Sequence, residues 1–406
     1  MQPFITINPM HFAKKLCLLY CLFPALAWGQ GAFWSQGTVS PQAFCDTIPF
    51  EWVEDKIIIN VNIQGKNRRF LFDTGAPLLI FDALQAEMNN PALKTVKTSD
   101  VTGQGREQET VWVGALQIGS ITFRDVPALV IDYNEIGIIQ CFDIEGFIGS
   151  NALRNCVVHI DAERQHLIIV DRFERLALVN PQKVRLRLDG SNRPWVRIGL
   201  GNRIKTMALF DSGSGKLLDI SEQTLAKTQQ KQISRIVRQG FGSTSSGLYG
   251  PGQVRPVLRV ATTSLNIGNA AINNIITTAP VEKPRDAMGL GLAAFGAITI
   301  DYPNKAFYFS PKAQTQVFNE SKSFGFSYQF DRDHFRIGVV YEGTPAAKAG
   351  LKSGYRLVRV NEMDLSENVQ ANRCKLFLSG FLQQPAIAIT FLDEAGRTQT
   401  VELTVE

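Results

Sequence analysis

Two aspartates occupy the same short motif, Phe-Leu-Phe-Asp73-Thr74-Gly75-Ala76 and Ala-Leu-Phe-Asp211-Ser212-Gly213-Ser214. Two carboxyl groups brought into contact cannot both ionise cheaply, so one apparent pKa rises and a single proton is shared. The ionised partner can then act as a general base on water. The protonated partner can hydrogen-bond a substrate carbonyl and later protonate a leaving amine. Water is the nucleophile in such chemistry, so no serine or cysteine nucleophile is required. The neighbours suit the task. Gly75 and Gly213 permit tight loops closed to other residues, and the Thr74 and Ser212 hydroxyls can donate and accept across a loop pair, fixing the carboxyls in one geometry.

The elements that must position these aspartates are themselves repeated. Lys56 to Gly65 reads as a strand into a turn, and Lys66 to Phe72 as a second strand running into Asp73. Trp195 to Gly201 and Ile204 to Phe210 repeat the plan ahead of Asp211. Downstream, Leu116–Pro127 parallels Leu265–Ile275, each a strand, a glycine turn and a strand. Gly149 and Gly289 follow at 76 and 78 residues from their aspartates, where they would let a neighbouring backbone cross close to each loop. From those glycines the copies align without a gap, through hairpins over Val157–Val170 and Ala297–Phe309. Short helices are expected at Asp82–Asn89 and Ser221–Lys231, each with a polar residue available to cap its start. The period of this doubling makes the two motifs far more specific than one Asp-Thr-Gly, which often only satisfies a turn.

The paired motifs, each followed by an apolar-apolar-Gly further on, resemble the aspartic proteases, both the retroviral-type (retropepsin-like) and the two-lobed pepsin-like branches. The resemblance spans 45–312. It implies a mostly β protein of two homologous acid-protease barrels, 45–180 and 181–312, fused in one chain. It also implies that the motif loops meet at a pseudo-twofold interface with Asp73 facing Asp211 as the catalytic pair. Thr74, Gly75, Ser212, Gly213, Gly149 and Gly289 would support them. Ala76 is of the retroviral type and Ser214 closer to the pepsin type. Flaps closing over a polypeptide substrate are expected at Val101–Trp112, with Gly103 and Gly105, and at Gln239–Tyr249, with Tyr249. The first of these has no tyrosine where pepsin-like enzymes carry one.

Beyond a polar linker at Lys312–Ser323 the texture changes. Phe324-Gly325-Phe326, Gly343–Leu351 and Gly354–Asn361 resemble the PDZ domains of periplasmic proteases, over 323–406. The resemblance implies an α+β module that takes a peptide C-terminus or an internal strand onto a sheet edge, with Phe324, Gly325 and Phe326 as the carboxylate loop. Phe324 and Phe326 also read simply as core residues of a first strand. Two activities compete: an aspartic endopeptidase with a docking or regulating C-terminal module, and a peptide-binding scaffold whose protease-like lobes no longer cut. The unusual Pro77 and Gly213-Ser-Gly-Lys216 motivate the second.

Bulk properties bound the rest. Of 406 residues 45% are hydrophobic, enough for more than one core. Lys14 and Lys15 precede an apolar run, Leu16–Trp28, and Ala25-Leu26-Ala27 offers a cleavage site, so 1–29 reads as a signal peptide too short to span a membrane comfortably. Removing it takes two lysines and no acids, lowering the formal charge from +5 to +3. The basic residues form no block, which argues against nucleic acid. A periplasmic or secreted bacterial location follows from the resemblance and the leader, with no stable membrane span after cleavage. Cys45, Cys141, Cys156 and Cys374 then remain; Cys141 and Cys156 are the candidate pair within the first copy, and sequence does not choose among the pairings. His159 and His166 flank a hairpin turn and read as surface residues. The four scattered histidines imply no metal site, and no cofactor is called for. Gly213-Ser-Gly-Lys216 lacks the first glycine and the Ser/Thr of a phosphate loop, with Phe210 and Leu217 in those places.

Overall fold

The computed structural model describes residues 31–100, 103–243, 246–247, 249–280, 285–318, 322–331, 334–366 and 369–406. The leader expected over 1–29 lies outside them. The chain is mostly β. Strand Lys56–Ile63 pairs antiparallel with Lys66–Asp73, from Ile58 opposite Leu71 to Ile63 opposite Lys66. Ile57, Ile59, Val61 and Ile63 alternate onto one buried face and join the main core. Ile58 turns the other way, into a smaller cluster with Phe33, Leu71, Leu79 and Phe147. Both faces of the strand are therefore covered, which explains its unbroken apolar start.

The second copy repeats this with strands Pro194–Leu200 and Ile204–Asp211. Beside each motif strand runs a short parallel strand ending in glycine: Gly146–Gly149 with Gly149 opposite Asp73, and Asp286–Gly289 with Gly289 opposite Asp211. On their far sides these pair antiparallel with Leu79–Phe81 and Leu218–Asp219. Those two in turn lie parallel to the long strands Ile121–Ile131 and Ala270–Pro280. The sequence repeat is thus a repeat of strand register. The expected helices form at Asp82–Met88 and Glu222–Gln230. Ser221 caps the second through Thr224 N, whereas the first has no side-chain cap and Asp82 Oδ1 accepts from Tyr133 N instead.

The copies meet in an antiparallel sheet ordered Cys45–Pro49, His166–Val170, Val157–Asp161, Gly296–Asp301, Ala306–Pro311, Gln182–Leu188, with each copy supplying one half. One hydrophobic core runs through both, from Phe44 to Phe309. His159 sits at the join, opposite Thr299. It is buried, with Nδ1 2.8 Å from Thr299 Oγ1, and burial lowers its pKa. The surface reading of His159 is therefore corrected, because pairing between the copies covers the hairpin that carries it. Residues ahead of 45 belong to the fold as well: Thr38–Ser40 pairs with Ile121–Ile131 and Asn192 Nδ2 donates to Trp34 O at 3.1 Å.

The polar stretch after Lys312 is not free chain, since Thr315–Val317 lies parallel to Ala270–Pro280; residues 319–321 are outside the described set. The C-terminal part has its own core, with Phe324, Phe335, Ile337, Leu357, Phe381 and Phe391. Its strands Phe326–Asp331, His334–Tyr341, Arg356–Val360, Ala386–Leu392 and Thr398–Thr404 accompany helices Pro345–Lys348 and Val369–Leu378. It is fastened to both copies. Strand Ser234–Gly242 of the second copy pairs with His334–Tyr341, Gly240 opposite Tyr341. A disulfide joins Cys141 to Cys374, Arg373 hydrogen-bonds Gln140, and the Phe142 and Phe377 rings meet edge-on at 5.3 Å. This corrects the Cys141–Cys156 candidate. Cys156 is fully buried, where desolvation pushes its thiol up to about 12, so it stays an inert core residue. Cys45 is free and exposed.

Candidate active site

The two motif loops grip each other through four reciprocal hydrogen bonds. Thr74 Oγ1 accepts from Ser212 N at 3.0 Å and donates to Phe210 O at 2.9 Å. Ser212 Oγ accepts from Thr74 N at 2.9 Å and donates to Phe72 O at 2.9 Å. Both residues are completely buried, so each hydroxyl satisfies two backbone groups that have no access to water. Thr74→Val should therefore cost about 2–4 kcal/mol, from two orphaned backbone groups. Thr74→Ser should recover most of it. Urea midpoints of the three proteins check this, and equal midpoints for wild type and the valine variant would contradict the grip.

Above the grip the two carboxyl groups are brought together, each packed against the glycine of the opposite motif. Gly75 N donates to Asp73 Oδ1 at 2.8 Å and Gly213 N to Asp211 Oδ1 at 2.9 Å. Each glycine backs onto the opposite carboxyl: a Cβ on Gly75 would lie 2.5 Å from Asp211 Cγ, and one on Gly213 2.6 Å from Asp73 Oδ2. No larger residue fits either place. Gly149 and Gly289 are crowded from the other side, where a Cβ would fall 2.1 Å from Pro77 C and 2.3 Å from Ser214 O. The expected site residues are thus brought together.

Burial, first, and the Asp211 charge, second, raise the Asp73 pKa well above the usual carboxylate range; the Gly75 N–H and the Lys56 ammonium pull the other way. Below the loops Ser150 Oγ donates to Thr74 O at 2.7 Å and lies 3.0 Å from Tyr302 Oη. Tyr302 is fully buried and its phenol is pushed up by desolvation. The sequence reading missed Ser150, Tyr302 and Lys56 as site residues. Ser150 follows Gly149 directly, and Lys56 falls across from Asp73 when the hairpin register is counted. Tyr302 comes from the other copy and no local signal marks it.

The flap candidates also touch. Strands Ala92–Ser99 and Gly105–Ile118 form a long hairpin with Gly103 (φ +84°) at its turn. Tyr249 reaches it from the second copy. Its Oη is 2.6 Å from Thr98 Oγ1 and accepts from Gln108 Nε2 at 3.2 Å, its N donates to Asp100 Oδ2 at 3.0 Å, and Arg106 lies over its ring. Residues 101, 102, 244, 245 and 248 of the two expected flaps lie outside the described residues. Tyr249→Phe removes the two contacts at the hydroxyl. Opening of the hairpin should then become easier by about 1 kcal/mol, read as roughly five-fold faster hydrogen exchange over residues 98–108. Unchanged exchange would mean the contact does not form in solution.

In the C-terminal part, Phe324 and Phe326 point into the core, and Gly325, at φ +82°, packs on Thr344. Their side chains therefore do what core residues do, while Gly325 O accepts from Tyr341 N at 2.9 Å.

Among solved structures the chain is similar to basic 7S globulin from soybean, at 11% identity and a TM-score of 0.39, over 69% of this chain and 100% of that one. It is similar likewise to an aspartic proteinase from Irpex lacteus, at 12% identity and a TM-score of 0.39, over 66% and 97%. At these scores neither likeness carries an argument. No curated protein matches the chain. The family model described as aspartyl protease matches residues 59–152, the stretch that holds Asp73, Thr74, Gly75, Gly149 and Ser150.

Proposed function

We propose that this protein is an aspartic endopeptidase in which Asp73 and Asp211 act as one catalytic pair on an extended polypeptide. The observation that carries the reading is the juxtaposition of two carboxyl groups, each against the opposite motif glycine, over the reciprocal Thr74–Ser212 grip. Burial and mutual repulsion leave the pair with one shared proton. The ionised member takes a proton from water as the oxygen attacks the scissile carbonyl carbon. The protonated member hydrogen-bonds the carbonyl oxygen as negative charge grows there, and the leaving nitrogen is protonated from the pair when the tetrahedral carbon collapses. The long hairpin at Ala92–Ile118 and the Tyr249 loop are the flaps over the bound chain.

The two copies are then homologous protease lobes, and 323–406 is a PDZ-type module that docks peptide at the Phe326–Asp331 strand. That strand pairs with His334–Tyr341, and its other edge suits strand addition. Export fits the leader and the Cys141–Cys374 bridge, a linkage favoured in an oxidising compartment. No helix among the described residues is long and apolar enough to cross a membrane.

The test is incubation of the mature protein with a mixed peptide library from about pH 4 to about pH 8, a range spanning ordinary and raised carboxyl pKa values, with new termini read by mass spectrometry. Cleavage is expected. Peptide retention without a single new terminus would instead make the protein a binding scaffold on a protease fold.

A further inference from the structure

Strands Glu51–Val53 and Lys56–Ile63 are joined by a two-residue turn, Glu54-Asp55, in which both residues have positive φ (45° and 60°). Neither is glycine, so the turn is held by what it packs against. Asp55 lies against the second motif loop: a Cβ on Gly215 would come 2.5 Å from Asp55 Cβ. Gly213 of that same loop backs onto the Asp73 carboxyl. The turn therefore sits where the two motif loops converge, and the next residue is Lys56.

Lys56 starts the strand that pairs with the Asp73 strand. Continuing the Ile58–Leu71 register by two residues sets Lys56 directly across from Asp73, on the same face of the hairpin. In the second copy the same continuation from Trp195–Leu209 sets Arg193 across from Asp211. Arg193 is engaged elsewhere, with Nε 2.8 Å from Asp189 Oδ2 and its backbone N 3.0 Å from Asp189 Oδ1. The doubled architecture thus carries a cation at the same register in both copies, and in the second copy that cation is drawn off by an acid of its own loop.

The charges facing Lys56 are Asp211, Asp55, Asp73 and Glu54. Beyond them, Arg285 stands near Asp211 together with Arg193 and Asp189. Burial is the larger influence and lowers the Lys56 pKa below the usual lysine value, while Asp211, Asp55, Asp73 and Glu54 offset part of that cost. A half-buried lysine across the hairpin from a catalytic carboxyl is costly to keep unless its charge is used.

We propose that Lys56 is a positioning residue of the catalytic pair, its ammonium being the counter-ion that holds Asp73 and Asp211 in the singly ionised state. The inference rests on the dyad reading above and extends it. Two carboxyls sharing one proton carry one negative charge, and Lys56 balances it inside a site from which water is largely excluded. A counter-ion favours each ionisation of the pair and so extends the singly ionised window toward acid. Its loss moves the acid limb of activity upward.

The test compares wild type, Lys56→Met and Lys56→Arg by kcat/KM against pH and by Tm against pH. In Lys56→Met the acid limb should move up by about one pH unit or more, the size of effect expected when an opposite charge close to a carboxyl is lost. Lys56→Arg should keep the wild-type limb. An unmoved limb in Lys56→Met, or an equal movement in both variants, would overturn the proposal, because the second result reports packing and not charge.

Thermal stability reads the coupling without turnover. The folded pair holds its proton above the unfolded pKa, so stability is lost as pH rises through the folded value. Lys56→Met should deepen that loss, and the extra loss should vanish in an Asp73→Asn background. If wild type cleaves nothing at any pH, the protease reading fails while this measurement still decides the role of Lys56: an extra loss that persists without Asp73 would overturn it.

Discussion

Asp73→Asn is expected to abolish peptide cleavage, with kcat down by about 10⁴-fold, the upper range for removing a positioned acid–base group. Asparagine keeps the size and can still accept from Gly75 N, so the loop should stay folded. What disappears is the shared proton. The same change has a second, opposite effect. Asp73 holds its proton in the folded state well above its unfolded value, because of burial and then of the Asp211 charge. Such a group supports the fold below the unfolded carboxyl pKa and loses that support as pH rises through the folded one. At neutral pH the native pair is therefore a burden, and Asp73→Asn should melt at a higher temperature than wild type there, with the difference shrinking in acid. Activity and stability measured across pH on the two proteins check both halves. An active variant would remove the chemistry, and a variant less stable at neutral pH would contradict the strained pair.

Removing the Cys141–Cys374 bridge by changing both cysteines to serine should produce the largest change in stability. The bridge closes 233 residues. A loop of that length restricts the unfolded chain by up to about 5 kcal/mol, with smaller losses usual in practice. The C-terminal part should nevertheless stay folded, because it has its own core and remains paired with Ser234–Gly242. The loss should appear at the seam with the first copy, where Phe142 meets Phe377 and Arg373 meets Gln140. Denaturant unfolding followed by two probes should then show two separated transitions in place of one. Coincident transitions at an unchanged midpoint would mean the bridge constrains nothing that matters. The seam of helix Val369–Leu378 with the Gly137–Phe142 turn and the pairing of His334–Tyr341 with Ser234–Gly242 hold the C-terminal part to both copies, and the variant releases the first hold alone.

How much of this was legible in the chain differs by the range of the interaction. The doubled strands, the aspartate-to-glycine intervals and the capped helix at Ser221 are written in period-two burial and in turn residues, which act locally. The grip could be anticipated because only a hydroxyl both donates and accepts at that position in the motif. Lys56 was missed, because only the strand register sets it across the hairpin from Asp73 and its charge partners on the other copy leave no local signal. The remainder is set by packing between distant segments. Cys141 finds Cys374 and not Cys156 because the helix carrying Cys374 is laid against the first copy, while Cys156 is drawn into the core. His159 is buried because the two copies pair through its strand. Tyr249 meets Thr98 and Asp100 because its loop converges on the long hairpin of the first copy. No pattern along one segment encodes any of these three.

The central claim is that two aspartates from two copies act as one unit. It is tested most directly by measuring kcat/KM for Asp73→Asn, Asp211→Asn and the double variant on one peptide that the wild type cleaves. Groups that work as a unit are non-additive. Each single variant should therefore lose about 10⁴-fold, and the double variant should lose no more than either. Losses that multiply in the double variant, or a single variant that cleaves at the wild-type rate, would contradict the account.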